Sequence, residues 1–152
     1  MKKIETTAFD QAQRYIGVRE IAGEKDHPLI RWWLSLCSIQ EAHDEIPWCS
    51  AFVNGIAWEL RLPRSKSAAA RSWLQVGAAL HIAEAEPGFD VVVLKRGTGG
   101  QPGPDVIAAP GHVGFFAGLE HGQVLVLGGN QGDEVNVSPF PAERILGIRR
   151  LV

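Results

Sequence analysis

The sequence predicts an α+β fold, with helices in the first half of the chain and an antiparallel sheet in the second half. Apolar residues recur at helical spacing in the first half, and from residue 78 onward the period changes to that of short strands separated by turn-forming residues. A run of helices followed by a run of strands is typical of this fold class. Neither an internal repeat nor a linker interrupts the pattern, so residues 1–152 are expected to form a single domain.

The helical half contains four predicted helices. The second lies in the segment HPLIRWWLSLC, with Pro28 in its first turn, where the backbone N–H that proline lacks has no helical partner. The fourth, SAAARSWLQVG, is short and ends at Gly77, a residue type common at helix C-termini. Apolar residues on one face define the other two: Phe9, Ala12, Tyr15 and Ile16 in the first, and Phe52, Ile56 and Leu60 in the third.

The sheet half contains six predicted strands, separated by clusters of Gly, Pro and Asp. Their segments are AALHI, FDVVVLKR, GHVGFFAG, QVLVLGG, EVNVSPF and RILGIRRLV. Residues 97–111, GTGGQPGPDVIAAPG, separate the second strand from the third. Their Gly and Pro content predicts a long irregular loop.

Composition narrows the classes of function. The formal net charge is -2, so the sequence lacks the basic excess of a nucleic-acid-binding protein. No apolar stretch has the length of a signal-peptide core or of a membrane span, which predicts synthesis in the cytoplasm and no stable membrane insertion. Two cysteines are too few for a disulfide framework, and one or both are expected to be free thiols.

Cys49 lies where the third helix is expected to begin. Pro47 suits a first helical turn, and Asp44 is placed to cap the helix or to precede the cap. A helix N-terminus lowers the pKa of a thiol, and a backbone amide at or beside Cys49 is free there to stabilise an oxyanion. The alternative is a small buried apolar side chain, which is the common state of a free cysteine and the one expected for Cys37.

A histidine and an asparagine flank a predicted hairpin. His112 and Asn130 are equidistant from His121 at the turn, so a regular antiparallel hairpin places them opposite or nearly opposite each other. Cysteine, histidine and a polar residue that orients the imidazole form the thiol version of a nucleophile, base and orienter. The alternatives are a strand-end histidine and a turn-forming asparagine, and a one-residue slip would separate the pair.

Several segments resemble the successive motifs of a phage- and prophage-associated family within the NlpC/P60 and CHAP superfamily of cell-wall hydrolases. They are EIPWCSAFVN, AAARSWLQVG, DVVVLKRG, GHVGFFAG and VLVLGGNQGDEVNVSPFP, and the resemblance covers nearly the whole chain. The most specific pieces are PWCSAFVN, GHVGF and LGGNQGD. One departure is PGFD where PGD is usual: Phe89 is inserted between Gly88 and Asp90, a change expected to shift only a turn.

The resemblance implies a papain-like fold, in which the helix with the cysteine packs on the antiparallel sheet that carries the histidine. By position, Cys49 matches the nucleophile, His112 the base and Asn130 the polar third member. It also implies cleavage of an amide bond in peptidoglycan, within the stem peptide or at its junction with the sugar, without a cofactor. The same three residues follow from the helix start and the hairpin.

Four further residues are candidates for contact with the substrate: Trp48, Ser50, Asp44 and Gln131. Trp48 stands beside the cysteine and suits a cleft wall. Asp44 suits the amino groups of a stem peptide, with capping as its alternative role. Gln131 suits the shaping of the cleft, with turn formation as the alternative, and it is also the alternative to Asn130 as third member.

The sequence therefore predicts a cysteine peptidase or amidase of peptidoglycan, acting as a phage or prophage endolysin or as a secreted antibacterial effector. A holin or a secretion system would release it to the periplasm or the cell wall, and an immunity protein would be the partner of an effector. The alternative is a catalytically silent domain that binds wall fragments or forms part of a phage particle. No metal is expected, because Cys37, His43 and Cys49 match no common spacing of zinc ligands.

Overall fold

The α-helices of the described residues lie in the N-terminal part of the chain. The computed structural model describes residues 1–21, 27–38, 47–97 and 99–152. Within these ranges no helix has the length and apolar character required to cross a membrane. The α-helices there are α1 (Ala8–Gln13), α2 (Pro28–Ser35) and α3 (Cys49–Glu59).

The ends of the first two helices follow local chemistry. Thr7 caps α1 in a reciprocal capping box with Asp10, and His27 caps α2 ahead of Pro28, which lies in the first turn as predicted. Tyr15 and Ile16 follow α1 in a turn instead of extending it, because the chain bends there and the Gly17 amide donates to the Val135 carbonyl.

The fourth predicted helix is corrected to a short 3-10 helix, Ala70–Gln75. It stops before Gly77, whose φ is +67°. A Cβ at Gly77 would lie 2.2 Å from the Arg150 carbonyl oxygen. The close approach of the last strand ends the segment there, so the glycine is needed both for its left-handed backbone and for the missing side chain.

All six predicted strands are confirmed, and every neighbouring pair in their sheet is antiparallel. The order across the sheet is β1-β6-β2-β3-β4-β5, so β2 and β3 lie in its centre. The bounds are β1 (Ala78–Leu80), β2 (Asp90–Lys95), β3 (Gly111–Glu120), β4 (Gln123–Gly128), β5 (Asn136–Pro141) and β6 (Ile145–Arg150). The α+β prediction is therefore confirmed.

The core forms where α3 packs on one face of this sheet. All residues from Cys49 to Ala57 are buried. Gly55 allows the Trp33 indole of α2 to lie against the α3 backbone, since a Cβ at that position would come within 2.3 Å of the ring. A smaller apolar cluster around Val92 and Val126 covers part of the opposite face. Burial on both sides makes the central strands near-continuous apolar runs.

The buried carboxylate of Asp90 fixes the turn that precedes β2. Asp90 is fully buried, and its two carboxylate oxygens accept from Nε and Nη2 of Arg150 at 2.8 and 2.9 Å. One of them also accepts from the Glu86 amide at 2.9 Å. The segment with the additional Phe89 is thus a turn fixed to β6, as the sequence predicts.

A buried arginine holds the long loop before β3. The Arg71 side chain donates from Nε to the Pro110 carbonyl at 2.9 Å and from Nη1 to three further carbonyls, those of Pro102, Gly103 and Val106. Gly111 packs on this side chain, since a Cβ there would lie 3.0 Å from Arg71 Cγ. The irregular loop predicted over residues 97–111 therefore has a fixed end immediately before His112.

Replacement of Arg71 by Met is expected to destabilise the protein. The change removes hydrogen bonds from a charged donor and leaves loop carbonyls without partners, which costs at least about 3 kcal/mol in the free energy of unfolding. Thermal unfolding with Arg31→Met as the control, an exposed arginine of α2, provides the measurement. Equal melting temperatures for the two variants would contradict this role of Arg71.

Candidate active site

Cys49 is the first residue of α3. Trp48 precedes the helix without a side-chain cap, and the first intrahelical bond runs from the Phe52 amide to the Trp48 carbonyl. The amides of residues 49–51 therefore have no helical acceptor, as is general for a first turn. Cys49 is 3% exposed. The thiol thus lies at the positive end of a helix dipole, as the sequence predicts.

His112, the second residue of β3, lies against this thiol. Burial alone would raise the pKa of Cys49. The hydrogen bond and charge of His112, the Val113 amide and the charge of Arg96 outweigh burial, so the pKa of Cys49 is lowered. Burial alone would lower the pKa of His112. The hydrogen bond and charge of Cys49, together with the hydrogen bond to Gln131, outweigh burial, so the pKa of His112 is raised. These opposite shifts favour a thiolate beside an imidazolium.

Gln131 contacts the nitrogen of the His112 imidazole that does not face Cys49. Its Oε1 lies 2.9 Å from Nε2 of His112. Gly128 makes this approach possible, because a Cβ there would lie 2.5 Å from the same Oε1. Gln131 is 6% exposed, so its carboxamide is enclosed by protein.

Neighbouring acceptors fix the orientation of the Gln131 carboxamide. Its Nε2 donates to the Val126 carbonyl at 3.2 Å and to the carbonyl and Oδ1 of Asn136 at 2.9 and 2.8 Å. Since Nε2 faces acceptors, Oε1 must face His112, and Nε2 of the imidazole must then donate to it. Nδ1 of His112 is left for the thiol. Asn136, which the sequence analysis did not single out, thus sets the tautomer through Gln131.

The prediction that Asn130 orients the ring needs correction. The hairpin turn consists of His121 and Gly122, both with positive φ. A bulge in β3, between Phe116 and Gly118, shifts the register of the pairing on the far side from the turn. Pairing of β3 with β4 ends at Phe115 and Leu127, before it reaches His112. Asn130 has a φ of 58°. Pairing of β4 ends at Gly128, so Asn130 lies beyond the sheet, and the next side chain, that of Gln131, reaches the imidazole.

Two of the four predicted substrate contacts are also corrected. Trp48 is fully buried, stacks on Trp33 with centroids 6.1 Å apart, and donates from Nε1 to Glu20 at 2.7 Å. Ser50 is fully buried and donates to the Ser67 carbonyl at 2.6 Å. Both side chains face inward from the start of α3 and hold it in place. Asp44 lies outside the described residues.

Glycines beside the site allow the backbone to pack closely on side chains. Gly111 and Gly128 allow the close contacts described above, and a Cβ at Gly129 would lie 2.5 Å from the Trp48 ring. Backbone therefore packs directly on side chains on both sides of His112.

A cleft opens beside His112, away from the helix. Its volume is about 490 Å³, and its lining includes the imidazole, Asn130 and Gln131. The Phe140 ring of β5 forms one wall, with its centroid 5.2 Å from that of His112. Lys95, Arg96 and Arg144 also line the cleft. Nothing in the spacing of these three basic residues along the sequence indicates that they meet.

Solved structures of three proteins resemble this chain. NlpC2 from Trichomonas vaginalis superimposes with a TM-score of 0.53 at 15% identity, over 99% of this chain and 49% of that one. The peptidoglycan hydrolase RipB from Mycobacterium tuberculosis gives 0.52 at 18% identity, over 96% and 63%. NlpC1 from Trichomonas vaginalis gives 0.52 at 17% identity, over 99% and 46%.

This chain has the NlpC/P60 fold. The resemblance read from the sequence motifs is thereby confirmed for the fold. The chain spans between 46% and 63% of the length of these three proteins. A scan of family models and a search of the curated proteins give no match.

The second cysteine of this NlpC/P60 fold has a different environment. Cys37 is 6% exposed and faces the Trp33 carbonyl at 3.8 Å. Burial raises its pKa to about 11. It is a core residue, as the sequence predicts. His43, which with the two cysteines would form the zinc site considered above, lies outside the described residues. Among the residues that are described, no cluster of three or more potential metal-binding side chains occurs.

Alkylation by iodoacetamide at pH 7 is expected to modify Cys49 at least about a hundredfold faster than Cys37, because the pKa of Cys49 is lowered and that of Cys37 is raised to about 11. The two residues are buried to a similar extent, so the ratio reports pKa rather than access. Since the pKa of Cys49 is lowered, its rate should fall only at pH values below the ordinary thiol range. In His112→Ala the rate at pH 7 should fall. Equal rates for Cys37 and Cys49 in the wild type, measured by peptide mass spectrometry, would contradict the lowered pKa.

Proposed function

We propose that this domain hydrolyses an amide bond in peptidoglycan, with Cys49 as the nucleophile. The observation that carries the proposal is the contact of Cys49 with His112, in which the pKa of the thiol is lowered and that of the imidazole is raised. A nucleophile and a base in contact, with the base oriented by a third group, are the requirements of thiol catalysis. The similarity in fold to RipB, a peptidoglycan hydrolase, supports peptidoglycan as the substrate.

The reaction begins when the Cys49 thiolate attacks the amide carbonyl carbon and a C–S bond forms. The carbonyl oxygen becomes an oxyanion, and the free amides at the start of α3 are available to donate to it. Collapse of this intermediate breaks the C–N bond, and the leaving nitrogen takes its proton from His112. A thioester of Cys49 and a free amine are the products of this half-reaction.

Hydrolysis of the thioester restores the enzyme. His112, now neutral, accepts a proton from water as the water oxygen attacks the thioester carbon. The C–S bond breaks, and a carboxylic acid leaves. Gln131 keeps Nδ1 of His112 directed at the reacting atoms in both half-reactions, and no cofactor takes part in any step.

Digestion of purified peptidoglycan tests the proposal. The wild type is expected to release fragments with new amine and carboxyl ends, and Cys49→Ala none above background, since no other group replaces the thiolate. Cys37→Ala is the matched control and should retain activity. Mass spectrometry of the fragments identifies the bond. If the folded wild type releases nothing from several wall types, the hydrolase proposal fails and a wall-binding or structural domain takes its place.

Gln131→Met is expected to lower kcat by at least about tenfold, because the imidazole loses the group that fixes its tautomer. The activity profile of the wild type should be bell-shaped: it falls at acidic pH as the thiolate is protonated and at alkaline pH as the imidazolium is lost. Since the bond to Gln131 raises the pKa of His112, its loss should move the alkaline limb to lower pH.

Asn130→Ala is the discriminating control for this measurement, because it removes the third member that the sequence favours. It should leave the alkaline limb in place. A limb that moves in Asn130→Ala and stays fixed in Gln131→Met would reverse the assignment.

We further propose that the protein acts at the bacterial cell wall, as a phage or prophage endolysin or as a secreted effector, with a holin, a secretion system or an immunity protein as its partner. Fusion to a periplasmic signal peptide is expected to make the wild type lyse a Gram-negative host, whereas the same chain kept in the cytoplasm should not. Cys49→Ala is the control, and lysis by that variant would show a cause other than hydrolysis.

A further inference from the structure

The cleft beside His112 is basic, although the whole protein carries a net charge of -2. Its cationic side chains come from separate parts of the fold: Lys95 ends β2, Arg96 follows that strand, and Arg144 lies in the 3-10 helix between β5 and β6. Among the residues that the structure describes, none with an acidic side chain lines it. Charges of one sign in a concave site raise the local concentration of ligands of the opposite sign.

These cations have no carboxylate partner within the part of the chain that the structure describes. The ion pairs there involve Arg19, His121 and Arg150. Glu143 lies near them, but it lines a smaller recess of about 240 Å³ adjoining Lys95 and Arg144. An anion bound in this cleft would accept charge-assisted hydrogen bonds from three cations that form no ion pair among the described residues.

The position of the cleft relative to the two reacting side chains indicates which half of the substrate it holds. His112 lines the cleft and Cys49 does not. His112 gives its proton to the leaving nitrogen, so the amine half must extend from Cys49 past the imidazole. Arg96 lines the same cleft as His112, so its charge lies on the side of the site to which the leaving nitrogen extends.

We infer that this cleft binds the amine half of the substrate through a carboxylate, held by Lys95, Arg96 and Arg144. The inference rests on the proposed hydrolase function and specifies its substrate as an amide whose leaving amine carries a free carboxylate. Asn130, which does not orient the ring, then belongs to the wall of this cleft. The Phe140 ring covers the apolar part of the same half.

Binding to Cys49→Ala tests the inference without any hydrolysis. The probes are the synthetic stem peptide L-Ala-γ-D-Glu-diaminopimelate with its carboxylates free, and the same peptide with all of them converted to carboxamides. Calorimetric titration is expected to show at least about tenfold tighter binding of the free peptide, as charge-assisted hydrogen bonds predict. Added salt should reduce the difference.

Charge-neutral variants locate the effect. Arg144→Gln in the Cys49→Ala background should remove most of the preference, and Lys95→Gln provides a second variant should the first fail to fold. Arg31→Gln, the same change on the exposed face of α2, should retain the preference. Equal binding of the two peptides, or a preference unchanged in both cleft variants, would overturn the inference.

The outcome is distinguishable from failure of the hydrolase proposal. A carboxylate preference together with an inactive wild type would retain the anion cleft and overturn the hydrolase. Digestion of peptidoglycan together with equal binding of the two peptides would retain the hydrolase and overturn the carboxylate assignment.

Discussion

The thiol of Cys49 and the imidazole of His112 belong to different layers of the fold, and the rest of the structure keeps them in contact. One begins α3 and the other lies near the start of β3. A charged pair in so enclosed a place has a desolvation cost that its mutual attraction alone does not reliably offset. The helix dipole, the Val113 amide and Gln131 supply the additional polar contacts. The layer packing that aligns helix and strand is therefore the condition for the chemistry.

That alignment depends on contacts outside the pair. Trp48 and Ser50 are buried by the core on either side of the cysteine, so the first turn of α3 has little freedom to move. Arg71 fixes the loop that delivers the chain to β3. Asn136 fixes the carboxamide that orients the imidazole. Each of these polar or aromatic side chains contacts a partner from another part of the chain. Together these contacts hold the site in a single arrangement.

Much of this could be predicted from the sequence, and the residues that could not share a physical cause. The strands follow from short apolar segments bounded by Gly, Pro and Asp clusters, and the position of Cys49 follows from the start of a helix. Asn130 and Gln131 differ by one residue, and their order relative to His112 depends on the turn, on a bulge and on where pairing ends. Burial of Trp48 depends on Trp33 and Glu20, which are distant along the chain. The meeting of basic residues in the cleft depends on the complete sheet order.

The protonation state of His112 at neutral pH is the most direct measure of the central claim. Nitrogen-15 NMR of the labelled imidazole distinguishes an imidazolium from either neutral tautomer. In the wild type the ring is expected to be an imidazolium at pH 7, and in Cys49→Ala a neutral ring with its proton on Nε2, facing Gln131. A neutral ring in the wild type, or a ring whose charge does not change when the thiol is removed, would contradict the ion pair on which this account rests.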